Sequence, residues 1–172
     1  HIELVRADNG VAMFLRHLGE MNEKNRMALL QFSEKEQLSL FVMTEENQLE
    51  HWFGEFPYYQ INGLTFHFGI RDFIQVNREL NQKMVEIALN WLDIQPQDRI
   101  LDLFCGMGNF TLPIAKKANY VVGVEGVEEM VNQAKANAKT NNLSNVEFFQ
   151  TNLDERFADQ PWACLLYTSD AA

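Results

Sequence analysis

Polar and apolar residues alternate near the start of the chain. Residues 2–16 carry this alternation on both sides of Asp8-Asn9-Gly10, and an Asn-Gly pair supplies the positive φ angles of a tight turn. The segment therefore predicts a β-hairpin. A helical pattern over residues 22–37 follows. Its expected core-facing positions are Met27, Leu30, Phe32 and Ser33.

Three further strand-like stretches complete the first part of the pattern. They cover residues 38–43, 54–61 and 64–68, and Asn62-Gly63 separates the last two. Several strands with one helix indicate an α+β unit. We assign residues 1–72 to part of such a domain, with a boundary near residue 72.

From Phe73 onward the pattern changes to alternating helices and strands, which indicates a parallel sheet covered by helices. The first helix is expected over residues 78–92, with Asn77 as its N-cap. Its expected core-facing stripe is Leu80, Met84, Ile87 and Trp91.

The rest of this part continues the same alternation. Strands are expected at residues 99–104, 120–125 and 146–150, with helices at residues 110–118 and 127–139 between them. Residues 73–163 therefore predict the first half of a Rossmann-like α/β domain.

Composition narrows the class of protein. Of the 172 residues, 47% are hydrophobic and 22% are charged, and no apolar run is long enough to span a membrane. The net charge of −10 disfavours a self-sufficient nucleic-acid binder, which needs a basic face. Two cysteines and four scattered histidines predict no metal site. Because His1 opens directly on a strand pattern, we expect an internal piece of a longer cytosolic protein.

The most informative segment is residues 100–110, where a buried strand meets a glycine turn and then a helix. Gly106 and Gly108 let the backbone approach a ligand that a Cβ would repel, and the first turn of a helix adds unpaired N–H groups. Glu125 ends the next strand, where its carboxylate can accept hydrogen bonds from both hydroxyls of a ribose. These features predict a site for an adenosine-containing cofactor.

Two cofactors fit this pattern. In the dinucleotide fingerprint the third position after Gly108 is glycine or alanine, whereas Thr111 occupies it here. Asp102 lies four residues before Gly106, at an acidic position usual in Rossmann-like methyltransferases, whose sulfonium ligand brings no phosphate. The residues favour S-adenosyl-L-methionine and leave an NAD-binding module as the alternative.

Three motifs resemble a known family. They are residues 71–77 (RDFIQVN), residues 102–113 (DLFCGMGNFTLP) and residues 122–127 (VGVEGV). Together with residues 160–163 (QPWA), they resemble, in register over about residues 1–163, the bacterial uracil-C5 methyltransferases of 23S ribosomal RNA. The related tRNA uracil-C5 enzymes share the Cys-Gly-x-Gly-Asn-Phe core but match the flanking residues less well, and they are a second alternative.

The resemblance implies a function for the parent protein. It implies methylation of uridine C5 in 23S rRNA with S-adenosyl-L-methionine, and a 4Fe-4S cluster whose four-cysteine motif is absent from these residues. The expected partner is 23S rRNA, bound mainly outside this chain, with neither membrane nor DNA as a partner. Residues 1–72 then correspond to part of the family's central domain and residues 73–163 to the first half of its methyltransferase domain.

The resemblance also implies which residues contact the cofactor. These are Gln75, Phe104, Asn109, Glu125 and Asn152, to which the residue pattern adds Asp102, Gly106 and Gly108. Without the resemblance, Gln75 and Asn152 are better explained as helix or turn caps.

No catalytic residue is assigned within this chain. Uracil C5 becomes nucleophilic when a thiolate adds to C6, and Cys105 is a tempting candidate for that thiolate. Between a buried strand and a glycine turn, however, a cysteine usually serves as a small apolar residue. The family's nucleophile belongs to a Ser-Cys-Asn-Pro-like motif and its base is an acidic residue near the C-terminus, and neither motif occurs here.

Two further segments receive structural interpretations. An aromatic cluster could stack on unpaired bases, but the acidic Glu50 and Glu55 beside it favour packing. Its members are Trp52, Phe53, Phe56, Tyr58 and Tyr59. Residues 164–172 resemble a translated transposon-end adapter, so we expect them to be foreign to the fold.

Overall fold

The computed structural model describes residues 1–44, 48–75, 77–153, 160 and 162–163. The expected adapter-derived tail at residues 164–172 lies outside the described residues. The chain divides into two compact units. The first comprises His1–Tyr59 and His67–Phe73, and the second comprises Gln60–Phe66 and the chain from Ile74 onward.

The first unit is built on a four-stranded sheet of order β1-β2-β3-β4. β1 (Ile2–Ala7) and β2 (Gly10–Arg16) form the predicted antiparallel hairpin. β3 (Leu38–Met43) runs parallel to β2, because the helix α1 (Glu23–Glu36) returns the chain to the same end of the sheet. β4 (Leu49–Phe53) pairs antiparallel with β3 and was not predicted.

The hairpin turn differs from the expectation at one residue. Gly10 has a positive φ of 129°, whereas Asn9 does not. The Asn9 side chain instead donates to the carbonyl oxygen of Phe56 at 3.0 Å and accepts from the N–H of Tyr58 at 3.2 Å. Asn9 is therefore a link to a later loop rather than the left-handed residue of the turn.

The buried face of α1 is narrower than predicted. Ser33 is fully buried as expected, and Leu30 is half-buried. Met27 and Phe32 are each 47% exposed, so the expectation that they face the core was wrong. The reason is that Leu29 takes the position against the core of the sheet.

A two-stranded hairpin follows, formed by β5 (Tyr58–Ile61) and β6 (Leu64–His67). Asn62 and Gly63 both have positive φ angles, of 51° and 73°, as the Asn-Gly pair predicts. The strand expected from residue 54 begins only at Tyr58, because Gly54 has a φ of 82°, far from the negative φ of a regular strand.

The second unit contains a parallel sheet of order β7-β8-β9. Its strands are β7 (Arg99–Leu103), β8 (Tyr120–Glu125) and β9 (Val146–Gln150), each within one residue of the predicted bounds. The crossover helices are α3 (Thr111–Ala115) and α4 (Glu128–Thr140). This confirms the predicted α/β class with Rossmann-like order, although α3 is shorter than expected because the residues before it form the glycine turn.

The helix α2 (Arg78–Leu92) has the predicted bounds but buries a different face. Asn77 caps it, accepting from the N–H of Leu80 at 3.0 Å. The buried residues are Asn81, Val85 and Leu89. Three of the four predicted stripe residues were wrong, since Leu80, Ile87 and Trp91 are 56%, 47% and 85% exposed, whereas Met84 is half-buried. Apolar residues cover more than one face of α2, so periodicity alone could not decide which face is buried.

Candidate functional site

The carboxyl ends of the three parallel strands meet at one edge of the sheet, where α/β proteins bind their ligands. Seven of the eight predicted site residues lie at this edge. Asp102 is in β7, Glu125 ends β8, and Asn152 follows β9. Phe104, Gly106, Gly108 and Asn109 form the turn between β7 and α3. The eighth, Gln75, is exposed on the segment before α2.

The turn between β7 and α3, residues 104–110, is called the glycine turn. Phe104, Gly106 and Gly108 all have positive φ angles, of 58°, 55° and 96°. A Cβ added at Gly106 would meet no atom within 4 Å, whereas one at Gly108 would lie 3.1 Å from Cγ of Leu112. Phe104 holds a backbone conformation that costs a non-glycine residue about 1–2 kcal/mol, and its side chain is 70% exposed. The turn therefore presents an open backbone at Gly106 beside an exposed aromatic ring.

Glu125 joins the ends of β7 and β8. Its Oε2 accepts a hydrogen bond from the N–H of Gly106 at 3.1 Å. Its Oε1 accepts from the N–H groups of Gly126 at 2.8 Å and Val127 at 3.1 Å. A carboxylate has about four acceptor positions, so three are already occupied. The expected pair of hydrogen bonds from a ribose therefore requires release of a backbone N–H.

Asp102 lies beneath the glycine turn. Its Oδ2 accepts a hydrogen bond from the hydroxyl of the fully buried Thr111 at 2.6 Å. Burial raises the pKa of the Asp102 carboxyl above its ordinary value, and the hydrogen bonds from Thr111 lower it in part. The ionised carboxylate is therefore held in the folded state at a cost in stability.

Asp102→Asn should leave the protein as stable as wild type at pH 7.5, or more stable by about 0.5–2 kcal/mol. A carboxyl whose pKa is raised on folding contributes stability below its unfolded pKa of about 4, and this is lost as pH rises through the folded pKa. The amide oxygen can still accept from Thr111. Urea unfolding at pH 4 and pH 7.5 checks this, with Asp98→Asn outside the glycine turn as a control. The prediction is contradicted if the free energy of unfolding of Asp102→Asn, taken relative to wild type, is lower at pH 7.5 than at pH 4.

Cys105 is buried at the start of the glycine turn. Its N–H donates to the carbonyl oxygen of Val124 at 3.1 Å. Burial raises the pKa of its thiol, and the negative charges of Asp102 and Glu125 raise it further. The thiol is therefore neutral at physiological pH, which supports a packing role rather than a nucleophilic one.

In a Cys164→Ser background, Cys105 should resist modification by iodoacetamide at pH 8 in the native state. Because its pKa is raised, the reactive thiolate is scarce until the pH is well above the ordinary pKa of about 8.5. In guanidinium chloride the same thiol should react at the rate of a free cysteine, at least tenfold faster. Mass spectrometry of the labelled protein measures both rates, and fast native labelling would return Cys105 to consideration as a nucleophile.

Two buried asparagines contact the glycine turn, and sequence reasoning identified neither. Asn81 exchanges two hydrogen bonds with Asn109, at 2.9 Å and 3.1 Å. Asn137, fully buried in α4, donates from Nδ2 to the carbonyl oxygen of Met107 at 3.4 Å. The available signal was an asparagine at a core-facing helical position, where a buried amide requires a partner. For Asn81 this signal was missed, because the wrong face of α2 was predicted to be buried.

The aromatic cluster lies in the first unit and in part packs there. Phe53 packs against the core around Leu40, and Arg26 lies over the Trp52 ring at 5.1 Å. The Trp52 indole N–H donates to Glu50 at 2.8 Å. Phe56 remains 56% exposed. These contacts favour the packing interpretation for Trp52 and Phe53.

Metal binding and membrane insertion find no support among the described residues. No three His, Cys, Asp or Glu side chains in those ranges are grouped so as to hold a metal ion. No helix there has the length and apolar character needed to cross a membrane.

The second unit is Rossmann-like, with a glycine turn after its first strand and an acidic residue at the end of its second strand. These features define a class of proteins that bind adenosine-containing cofactors. The sequence model of the family tRNA (Uracil-5-)-methyltransferase matches residues 13–159. The chain belongs to this family.

Two curated relatives confirm the resemblance to the uracil-C5 methyltransferases of 23S rRNA. The 23S rRNA (uracil(1939)-C(5))-methyltransferase RlmD of Haemophilus ducreyi is 64% identical over 163 residues, covering 95% of this chain and 37% of the relative. The protein of the same description from Aliivibrio fischeri is 52% identical over 168 residues, covering 98% of this chain and 38% of the relative. The chain thus spans less than two fifths of the length of these relatives.

Solved structures show the fold. The tRNA (uracil-54, C5)-methyltransferase of Pyrococcus abyssi, in complex with S-adenosyl-L-homocysteine, has a TM-score of 0.71 at 19% identity and covers 90% of this chain and 40% of that chain. TYW2 of P. horikoshii, in complex with MeSAdo, has a TM-score of 0.56 at 14% identity, covering 90% of this chain and 57% of that chain. Both are consistent with the Rossmann-like assignment.

Proposed function

We propose that this chain is the cofactor-binding part of an S-adenosyl-L-methionine-dependent methyltransferase acting on C5 of a uridine in 23S ribosomal RNA. The observation that carries the cofactor assignment is the hydrogen bond from the Gly106 N–H to Glu125, which places the acid at the open part of the glycine turn. The rRNA substrate is supported by 64% identity to an enzyme with that activity.

The electrostatics of the glycine turn favour a sulfonium cofactor over NAD. Asp102 and Glu125 both place negative charge beside Cys105. Two carboxylates attract a cation and repel a pyrophosphate. The N–H of Gly106 donates to Glu125 and that of Gly108 donates to the carbonyl oxygen of Cys105, so neither is directed at a phosphate. A pyrophosphate site requires such N–H groups.

The residues at the strand ends fit this cofactor. We propose that Glu125 accepts from the ribose and that the open backbone at Gly106 and Gly108 lies against the nucleoside. Phe104 supplies an exposed ring for apolar contact, and Asn109 supplies an amide. The further proposed contacts are Gln75, Asn152 and Asp102. When bound, S-adenosyl-L-methionine supplies an electrophilic methyl group.

The catalytic nucleophile and base are proposed to lie in other parts of the whole protein. Cys105 does not supply the thiolate, because its buried thiol stays neutral. The iron–sulfur cluster implied by the resemblance has no group of ligands among the described residues, so no step is derived through it.

The cofactor is tested by calorimetry on the 172-residue chain with S-adenosyl-L-homocysteine and, separately, NAD. Saturable binding of the first with none of the second supports the proposal, and the reverse would favour a dinucleotide-binding module.

The substrate is tested with labelled S-adenosyl-L-methionine. The full-length protein should transfer label to unmodified 23S rRNA and not to tRNA, whereas the 172-residue chain should transfer none above background. Preferential labelling of tRNA would support the tRNA enzyme instead. Saturable incorporation by the chain alone would show that the catalytic residues have been misplaced.

A further inference from the structure

We propose that Asn81 is a positioning residue of the cofactor site and that it acts through Asn109. The inference rests on the proposed function, because Asn109 is one of the residues proposed to contact the cofactor. Asn81 itself lies in α2, one element away from the glycine turn.

The two amides form a reciprocal pair. Nδ2 of Asn81 donates to Oδ1 of Asn109 at 3.1 Å, and Nδ2 of Asn109 donates to Oδ1 of Asn81 at 2.9 Å. A single hydrogen bond would leave the Asn109 amide free to rotate about it. Two antiparallel bonds between the same groups hold the plane of the amide as well as its distance. Asn81 thereby sets the orientation of the Asn109 amide.

Because the Asn81 amide is buried, it depends on Asn109 for its hydrogen bonds. Asn81 is only 4% exposed and shares the buried face of α2 with Val85 and Leu89. Asparagine is a poor helix former, and an apolar residue would pack at such a position without an unsatisfied amide. The asparagine at position 81 is therefore explained by its hydrogen bonds to Asn109 and not by the stability of the helix.

The position of Asn109 makes its orientation matter. It follows Gly108, whose φ is 96°, and lies two residues before α3 begins at Thr111. The turn is held independently at Gly106 by Glu125 and at Met107 by Asn137. Loss of Asn81 should therefore reorient Asn109 while these two contacts keep the rest of the turn in place.

A double-mutant cycle on cofactor affinity tests the proposal. The variants are Asn81→Leu, Asn109→Ala and the double variant, with S-adenosyl-L-homocysteine as the probe in calorimetry on the 172-residue chain. Asn90→Leu makes the same change at an exposed position of the same helix and is the matched control. Circular dichroism confirms that each variant is folded at the temperature used.

We expect Asn81→Leu to weaken binding about five- to tenfold, the effect of roughly one hydrogen bond, and Asn90→Leu to leave it unchanged. In the Asn109→Ala background, Asn81→Leu should cause no further loss, because the group through which it acts is gone. A role confined to the stability of the fold would instead give the same loss in both backgrounds.

Three outcomes would overturn the inference. The first is an Asn81→Leu variant that binds as tightly as the Asn90→Leu control, and the second is a loss of affinity that persists in full in the Asn109→Ala background. The third is absence of binding by the wild-type chain, which would remove the proposed function and this inference together. This outcome is distinguishable from the other two because it is seen before any residue is substituted. If Asn81→Leu does not fold, Asn81→Ser replaces it in the same cycle with the same expectations.

Discussion

Gly123→Ala should destabilise the second unit by about 2–3 kcal/mol, the upper part of the range for overpacking a core. Gly123 lies in the central strand β8, where an added Cβ would be 2.6 Å from Cδ1 of Phe148 and 2.9 Å from Sγ of Cys105. Both neighbours are buried, at 5% and 6% exposure, so neither can move aside without displacing the core. The effect is purely steric, because Gly123 has no positive φ.

Chemical denaturation followed by circular dichroism measures this loss. Gly126→Ala is the matched control, because a Cβ there would lie 3.8 Å from the nearest atom, in ordinary contact. That substitution should be neutral or stabilising by about 0.4–1 kcal/mol, since alanine restricts the unfolded chain. Equal stabilities for the two variants would show that the sheet accommodates a side chain between β8 and β9.

Glu125→Ala should weaken the binding of S-adenosyl-L-homocysteine by tenfold or more. Two effects add. The variant loses the carboxylate proposed to accept from the ribose, and it leaves the N–H groups of Gly106, Gly126 and Val127 without their acceptor. A hydrogen bond to a charged group contributes about 1.5–3 kcal/mol, so even one lost bond to the ligand exceeds a tenfold change.

Calorimetry on the folded variant measures the affinity. Glu129→Ala is the control, because it removes the same charge from an exposed position in the first turn of α4. Unchanged affinity in Glu125→Ala would remove Glu125 from the site. A loss of stability without a change in affinity would leave it only the structural role that its three backbone bonds already show.

The elements that sequence predicted well are those specified by local chemistry. β3 was expected at the residues where it is found, and the hairpin around Asn62 and Gly63 has the positive φ angles that this pair favours. The bounds of α2 follow from its N-cap at Asn77 and its helical period. Each signal resides within a few residues, so neighbours along the chain suffice to produce it.

The errors occur where distant segments decide the outcome. β4 was missed because Leu49–Phe53 is mostly exposed and becomes a strand by pairing with β3. α2 was given the wrong buried face because apolar residues lie on more than one side of it. Which side is covered depends on the elements packed against the helix, and periodicity contains no information on those.

In the candidate site, too, some features follow from local sequence and others from contacts between distant segments. The glycine turn and the acid after the second strand are local motifs, and the family shown by residues 13–159 matches the resemblance that those motifs carry. The sequence by itself thus determined the α/β class and the family, and it predicted where along the chain the site lies. Only the tertiary structure decided that Asn81 pairs with Asn109, that Thr111 binds Asp102, and that backbone N–H groups occupy Glu125. The physical reason is that buried polar groups must find partners, and those partners are chosen by packing between residues far apart in the chain.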